Sequence, residues 1–556
     1  MILRRAIWIC FLLIGLCPIV SFAQATKPAS PEITEDPFQL FKYRNYRAAI
    51  PGFEAELKNS EKNPALLENL GLCYMRGSIS YEKAVGFFKQ AIEVDKENPE
   101  HIFNLANAYQ LNFQFDEAIE QYGKYVVKVK QQKKENEAEL IKKGLRGIET
   151  SKNAKELIKF PVDVSFENMG KEVNTVHSEL DPFITPSKST LIYTSNRPDG
   201  NQCTQPRKSG FTTDLYISIF KNGKWTKSSN MGSIVNTPLN ERICSMNEDA
   251  SSLFLYIDNE ESSKDGDIYL ASAKNKIFDT PYSLKGLVNS GDEESSASIT
   301  SDGAALYFSS DRPGGSGKKD IYVAKKLPDQ TWGEPKRLTD KINTTLNDDF
   351  PLIIDNDRTL YFCSEGHNSM GGYDIFRSEW VDSLNNWSDP VNLGYPVNTP
   401  EDNYSISFTS RSNEGYMASI RPEGMGDYDI YRIVFNQSNG APYYVLKGNI
   451  GSPQNGGVSN DVKMTITSKK TKTLFGKYNI SARKNGKYCL VLFPGDYTVE
   501  ISSENCMPHT EEITVMDKNT RGEIIPKDFQ LKSTTQSDTP KDKTSKKTEK
   551  ASVKKP

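Results

Sequence analysis

Five times along the chain an aspartate is followed by Leu or Ile and then Tyr or Phe. The copies begin at Asp214, Asp267, Asp320, Asp374 and Asp429, 53 to 55 residues apart. A self-similar period of this length, filled with short strands, means one supersecondary unit per repeat, each burying its face against its neighbours. The third copy, from Ala305 to Tyr322, shows the unit most fully as strand, Gly/Pro turn, strand. Each unit opens with Val-Asn-Thr or a variant, at Val173, Val235, Val288, Ile342 and Val397. An inner strand, a polar turn, an apolar strand such as Thr359 to Cys363, a Gly-rich turn and the Asp-Ile-Tyr strand follow. Trp225, Trp332 and Trp387 precede the last strand in three units, with Phe278 in that place in unit two. Four strands per unit make a propeller blade.

The blade count follows from the ends of the repeat, within residues 160–436. Unit five stops after its third strand, at Phe435, while residues 162–168 form a strand with no unit of its own. Asn168-Met-Gly170 ahead of Val173 matches Asn230-Met-Gly232 ahead of Val235, so the early strand reads as an outermost one. Pairing it with unit five closes a five-bladed ring and removes free sheet edges. The units resemble the WD40-like repeat of TolB-type periplasmic propellers. Ser310-Asp-Arg-Pro-Gly314 and Asp320-Ile-Tyr322 carry that resemblance, and the Gly-His and Trp-Asp of ordinary WD40 repeats are missing. The TolB pattern has six blades, so five is a departure from it.

Before the propeller, residues 37–158 show helical periodicity, and this also repeats. Asn63-Pro64 and Asn98-Pro99 begin equivalent helices, and Ala49, Ala84 and Ala118 recur at matching positions. Leu70, Gly71, Tyr74, Ala84, Phe88, Ala91 and Pro99 resemble the tetratricopeptide repeat, a helix pair of about 34 residues. The pattern predicts two full repeats, a partial one before them and a charged capping helix. After the propeller, residues 443–532 alternate in strand fashion. Gly486 to Ile501 reads as strand, Pro-Gly turn, strand, a predicted hairpin. This segment resembles a carboxypeptidase-regulatory-like β-sandwich. The expected fold class is therefore multidomain: an all-α tetratricopeptide array, a five-bladed all-β propeller, a β-sandwich and a disordered tail.

The ends carry address and solvation signals. Arg4 and Arg5 followed by the apolar run Ile7 to Val20 and by Ser21-Phe22-Ala23 predict a signal peptide over residues 1–23, cleaved after Ala23. Lipidation at Cys17 is the less favoured reading, because Leu16 is bulky where a small residue is needed. Residues 24–36 form a polar linker. Residues 533–556 hold seven Lys against three acids and almost no apolar side chains, the composition of a disordered tail. The expected location is the periplasm, associated with the outer membrane. The net charge of −3 gives no reason to expect nucleic acid as a partner.

Chemistry-bearing residues are sparse. Six residues past the start of each Val-Asn-Thr element lie Glu179, Glu241, Glu294, Asp348 and Asn403, with Asp402 beside the last. This near-ring at the start of the inner strands is the candidate ligand site. Catalytic carboxylates need environments that push their pKa values apart, whereas here every unit offers the same acid, as a structural cap would. No catalytic, cofactor-binding or metal-ligating residue is expected. His101, His177, His367 and His509 are scattered, and Asp265-Gly-Asp267 is only a fragment of a calcium loop. Arg197, Arg312 and Arg421 are expected to form turns and pack on the next blade. Cys203 and Cys244, placed toward one face of neighbouring blades, are the predicted disulfide, while Cys73 and Cys363 read as buried thiols.

The order of array, propeller and sandwich resembles the PorE-type component of the type IX secretion system. That component continues into an OmpA-like, peptidoglycan-gripping domain, for which no segment appears here. The resemblance implies a non-enzymatic periplasmic scaffold that binds envelope or secretion-system proteins through array and propeller, near peptidoglycan or the outer membrane. The alternative is a carbohydrate-binding or glycoside-hydrolase-like propeller.

Overall fold

The computed structural model describes residues 36–534 except 134, 204–210, 248, 259–265, 275–276, 285–286, 355–356, 383–384, 411–412, 437–443, 452–461, 471, 473, 481–485, 505 and 517–522. The signal, nearly all of the linker, Cys17 and nearly all of the Lys-rich tail therefore lie outside the described residues.

The Asn-Pro pairs start helices for a stated reason. Asn63 caps its helix by accepting from the backbone N–H of Ala65 and Leu66, and Asn98 accepts from Glu100. The proline after each sits where no N–H is needed. Seven helices follow one another: α1 (Pro37–Lys42), α2 (Tyr46–Asn59), α3 (Pro64–Arg76), α4 (Tyr81–Val94), α5 (Pro99–Leu111), α6 (Phe115–Gln132) and α7 (Glu137–Leu157). They pack as consecutive pairs on a shared core that includes Phe53, Leu70, Phe88, Tyr109 and Tyr122. Close approach depends on small residues. A Cβ on Gly71 would meet the Phe88 ring at 2.6 Å, and one on Gly147 would meet Tyr122 at 2.5 Å.

A many-stranded, propeller-like β region follows. Its described strands form five antiparallel sheets, one for each unit of the sequence repeat. The inner strands begin at Glu179, Asn240, Glu294 and Asp348 in units one to four, and the fifth spans Ile406–Phe408. The early strand Val164–Asn168 runs antiparallel to Asp429–Phe435, with Val164 opposite Phe435 and Asn168 opposite Tyr431. It thus forms the outermost strand of the unit-five sheet.

The repeated motifs are the joints between units. The Asn of each Val-Asn-Thr exchanges two hydrogen bonds with the backbone of the residue after the aspartate in the preceding unit. Asn343 Nδ2 donates to Ile321 O at 3.0 Å, and Ile321 N donates to Asn343 Oδ1 at 2.7 Å. Asn236, Asn289 and Asn398 repeat this with Leu215, Ile268 and Ile375. Asn174 does the same with Ile430, so unit one clamps unit five. The aspartate caps the Gly-rich turn before it. Asp374 Oδ2 accepts from Met370 N and Asn392 Nδ2, and Asp429 Oδ2 accepts from Met425 N and Asn168 Nδ2. These bonds replace backbone pairing at the sheet corners, although the second carboxylate oxygens of Asp214, Asp320 and Asp374 are buried without a hydrogen-bond partner among the described residues.

The C-terminal region packs two sheets on one core of residues such as Leu446, Met464, Leu490, Val499 and Phe529. Here the predicted hairpin is corrected. Lys487–Leu492 pairs with Tyr444–Gly451 in one sheet, whereas Gly495–Ser503 pairs with Val462–Ser468 and His509–Val515 in the other. The Pro494-Gly495 turn therefore arches between sheets. Both strands carry an apolar face, and the arch sets the two faces against each other across one core.

The three regions meet at one point. Phe115 of α6, Ala154 and Leu157 of α7, Met370 of the unit-four turn and Leu474 of the sandwich form a single buried cluster. Around it, Arg146 of α7 donates to Gly366 O at 2.9 Å and to Ser369 Oγ at 2.6 Å, and it also reaches Glu365 O. Asn153 Nδ2 donates to Ser369 O, and Gln110 Nε2 donates to both Thr150 Oγ1 (2.9 Å) and Met370 O (2.8 Å). Lys477 of the sandwich pairs with Glu156 of α7 at 3.2 Å.

Candidate functional site

The acids predicted as a ligand ring are committed to the fold. Glu179, Glu241, Glu294 and Asp348 are fully buried, and Asn403 nearly so. Each side chain turns back onto the hydroxyl residue of its own Val-Asn-Thr element. Thr175 N donates to Glu179 Oε2 at 2.9 Å and Thr175 Oγ1 to Oε1 at 2.7 Å. Ser290 does the same for Glu294, Thr344 for Asp348 and Thr399 N for Asn403, while Thr237 Oγ1 bonds Glu241. The structure thus places the five as turn caps, each bonded to the Val-Asn-Thr element of its own unit.

The Arg-Pro turns serve these caps within their own unit, not the next one. Arg197 Nη2 donates to Glu179 Oε1 at 2.8 Å and to Val173 O at 2.7 Å, and its guanidinium lies 4.6 Å from the Tyr216 ring centre. Arg312 pairs with Glu294 at 2.9 Å. Arg421 has no acid to meet in unit five, where the cap is Asn403, and donates to Pro396 O. The reason is register: Glu179 lies opposite Ser195, two residues before the arginine. In unit four Gly366-His367 replaces Arg-Pro. His367 Nε2 takes up the Ile342 carbonyl at 2.9 Å, and Arg146 arrives from α7 to hold the turn.

The channel is lined one or two residues further on. Register shifts near the start of the inner strands in units one to four mark bulges, which re-aim side chains. Asp181, Arg242, Ser296, Phe350 and Ser405, one from each unit, surround a cavity of about 30 Å³, room for a water or two. Arg242 clasps Asp181 across the unit-one to unit-two boundary with bonds of 2.9 and 3.0 Å. Lys319 meets Glu293 at 3.1 Å and Asp349 at 3.6 Å, and Ser295 and Ser296 donate to Asp349. Burial works against the charge of Asp349, yet Lys319 and these hydroxyls hold it below the usual carboxylate range. Both acids at this level are neutralised, and no space remains for a sugar ring. A second cavity of about 280 Å³ opens at the far end, among Met246, Ser298, Leu352, Asp357 and Phe408.

The predicted disulfide is absent: no bond joins Cys203 to Cys244. Cys244 sits in the unit-two bulge beside the channel, where burial pushes its thiol up to about 12. Cys203 follows the Gly-rich turn of unit one, its N–H bound to Asn201 Oδ1. Cys244 lies on the inner strand of unit two, and Cys203 between the second and third strands of unit one. Cys73 and Cys363 are buried thiols. Among the described residues no three His, Cys, Asp or Glu are grouped to hold a metal ion.

Burial leaves a pH signature. It raises Asp348 to about 7 and Asp374 to about 8. A carboxyl group whose folded pKa is raised binds its proton more tightly folded than unfolded. Its stabilising effect is full below the unfolded value and is lost as pH rises through the folded one. Unfolding free energy is therefore expected to fall by roughly 1–3 kcal/mol between about pH 6.5 and 8.5. Asp374→Asn, which keeps an acceptor for Met370 and Asn392, is expected to flatten the decline. Urea titrations at several pH values read this, and an equally steep decline in the variant would refute it.

No protein-family model matches the chain, and no curated protein matches it. Among solved structures, the helical region is similar to PcrH in complex with the chaperone binding region of PopD (17% identity, 21% of this chain and 87% of that one, TM-score 0.20). It is also similar to the Sgt2 tetratricopeptide domain from Aspergillus fumigatus (22% identity, 23% and 83%, TM-score 0.20). TolB from Acinetobacter baumannii matches 54% of this chain and 70% of its own length (16% identity, TM-score 0.28). A glycoside hydrolase matches 50% and 94% (10% identity, TM-score 0.35).

Proposed function

We propose that this chain is a non-enzymatic scaffold that binds protein partners of an envelope machine, on the periplasmic side of the outer membrane, with type IX secretion as the favoured system. In this reading the five sheets are the blades of a closed five-bladed propeller, and the C-terminal sheets are a carboxypeptidase-regulatory-like docking module. The observation that carries it is the use of the channel acids. The repeated acids Glu179, Glu294 and Asp348 are turn caps and Asp181 and Asp349 are halves of ion pairs, whereas the helical array, the β region and the sandwich are locked together at Met370. Such a body offers large fixed surfaces to partners, and its repeated acids are spent on the fold. Crosslinking in envelope fractions followed by mass spectrometry tests it. Recovery of outer-membrane secretion components is the expected result. Absence of protein crosslinks together with specific hits on a glycan array would overturn it in favour of a carbohydrate-binding propeller.

A further inference from the structure

The channel mouth nearest the helical array is chemically lopsided. On the side of units two to four its charges are matched: Arg242 with Asp181, and Lys319 with Glu293 and Asp349. On the side of units four and five stand aromatic rings and an unmatched acid. Tyr404 lies 5.6 Å from Tyr373, 5.5 Å from Phe350 and 6.3 Å from Tyr428, measured between ring centres. Asp402 is spent within this group, accepting from Tyr373 N at 2.9 Å and from Tyr404 Oη at 2.8 Å. Glu401 beside it is different. Among the described residues nothing donates to its carboxylate, and burial next to Asp402 pushes it up to about 8.

The repeat shows that Glu401 has no joint to make. Its counterparts in the other units are His177, Leu239, Asp292 and Leu346, so the position carries no residue type common to all units. The cations nearby do not answer it. Arg242, whose guanidinium lies 5.3 Å from the Phe350 ring centre, is held by Asp181, and Arg47 of α2 is paired with Asp427 at 3.3 Å. Tyrosine faces next to an unpaired carboxylate attract an organic cation, by ring quadrupole and by charge together. The donor set does not suit a metal ion, since no three ligating side chains converge among the described residues.

We infer that the corner formed by Glu401, Tyr404 and Tyr428 receives the ammonium or guanidinium tip of a lysine or arginine presented by a partner polypeptide. The array borders this corner on two sides. Arg47 of α2 holds Asp427, the neighbour of Tyr428, and α7 holds the turn that leads to Tyr373. A polypeptide lying along the array reaches the corner with one side chain. This deepens the partner-binding reading above and rests on it, but its test needs no knowledge of the partner.

The test uses the mature full-length chain and blocked pentapeptides with a central lysine, arginine or norleucine, titrated by calorimetry near pH 8.5 at low and high salt. The lysine or arginine peptide is expected to bind with a dissociation constant of about 1 mM or tighter, weakening with salt, and the norleucine peptide not to bind. Comparing lysine with arginine tells which cation the corner prefers. Glu401→Gln, which breaks no hydrogen bond among the described residues, is expected to weaken binding about tenfold with a melting temperature unchanged or raised, because it removes a buried unpaired carboxylate, and Tyr428→Leu is expected to weaken it through the ring. Binding of the norleucine peptide as tightly as the lysine peptide, no binding by either cation, or retention within about twofold in Glu401→Gln would overturn the assignment. Any of these outcomes alongside successful crosslinking to secretion components would leave the scaffold reading standing.

Discussion

Met370→Asp is expected to uncouple the helical array from the β region and to loosen the sandwich. Met370 is fully buried in the cluster shared by Phe115, Ala154, Leu157 and Leu474, and it lies in a turn with no cation free to meet a new charge. Arg146 is already occupied by the carbonyls and hydroxyl of that turn and by Glu149 at 2.9 Å. An unpaired carboxylate at such a point costs several kcal/mol, on the order of 3–5. The cheapest escape is separation of the helical array, because the core around Phe88 does not include the junction, whereas the sandwich keeps a second buried contact with unit four through Val381, Val445, Cys489 and Val491. Calorimetry is expected to show one cooperative transition for the wild type and two or more for the variant, with a larger radius of gyration in solution scattering. Arg146→Ala should shift both readouts in the same direction by less. An unchanged single transition in Met370→Asp would mean that the junction does not couple the regions.

Glu294→Ala is the second large effect, expected to lower unfolding free energy by about 3–5 kcal/mol. The carboxylate, itself fully buried, meets the partly buried Arg312 at 2.9 Å and accepts from Ser290 N, Ser290 Oγ and Ser310 Oγ. Removing it strands a guanidinium and two hydroxyls. The companion change Arg312→Met in the same chain is expected to recover part of the loss, because it removes the stranded charge. If Glu294 instead served a ligand, its removal would leave urea unfolding nearly unchanged and would abolish a binding signal. The two accounts therefore diverge in one experiment.

Most of the joints were legible in the sequence, because they recur. Val-Asn-Thr, the acid six residues on and Asp-Ile-Tyr each solve the same local problem in every unit, so their spacing exposes them. The missing outermost strand was legible for the same reason, since Asn168 repeats the place of Asn230 and Asn392 against an aspartate. The repeated acids were a candidate ligand ring, but their sameness already pointed to structural caps, which is the role they play. The channel lining itself was not singled out. The positions two residues after the caps, Asp181, Ile243, Ser296, Phe350 and Ser405, all line the cavity and carry no residue type common to all units. That variation was the available signal for what faces the channel.

The sequence by itself determined the periodic content of this protein: helix pairs set by Asn-Pro starts and small residues, then five strand units tied by repeated side-chain to backbone bonds. Both follow from backbone geometry acting over a few residues, which any copy of the motif reproduces. Tertiary structure alone decided what is not periodic. Gln110 and Met370 meet across 260 positions of chain, Arg146 takes the place of a missing turn arginine, and Pro494-Gly495 arches between sheets where its local pattern reads as a hairpin. The Cys203–Cys244 pairing failed on the same ground. Strand alternation says which residues share a face, but only the packed units say how far apart two residues stand on it.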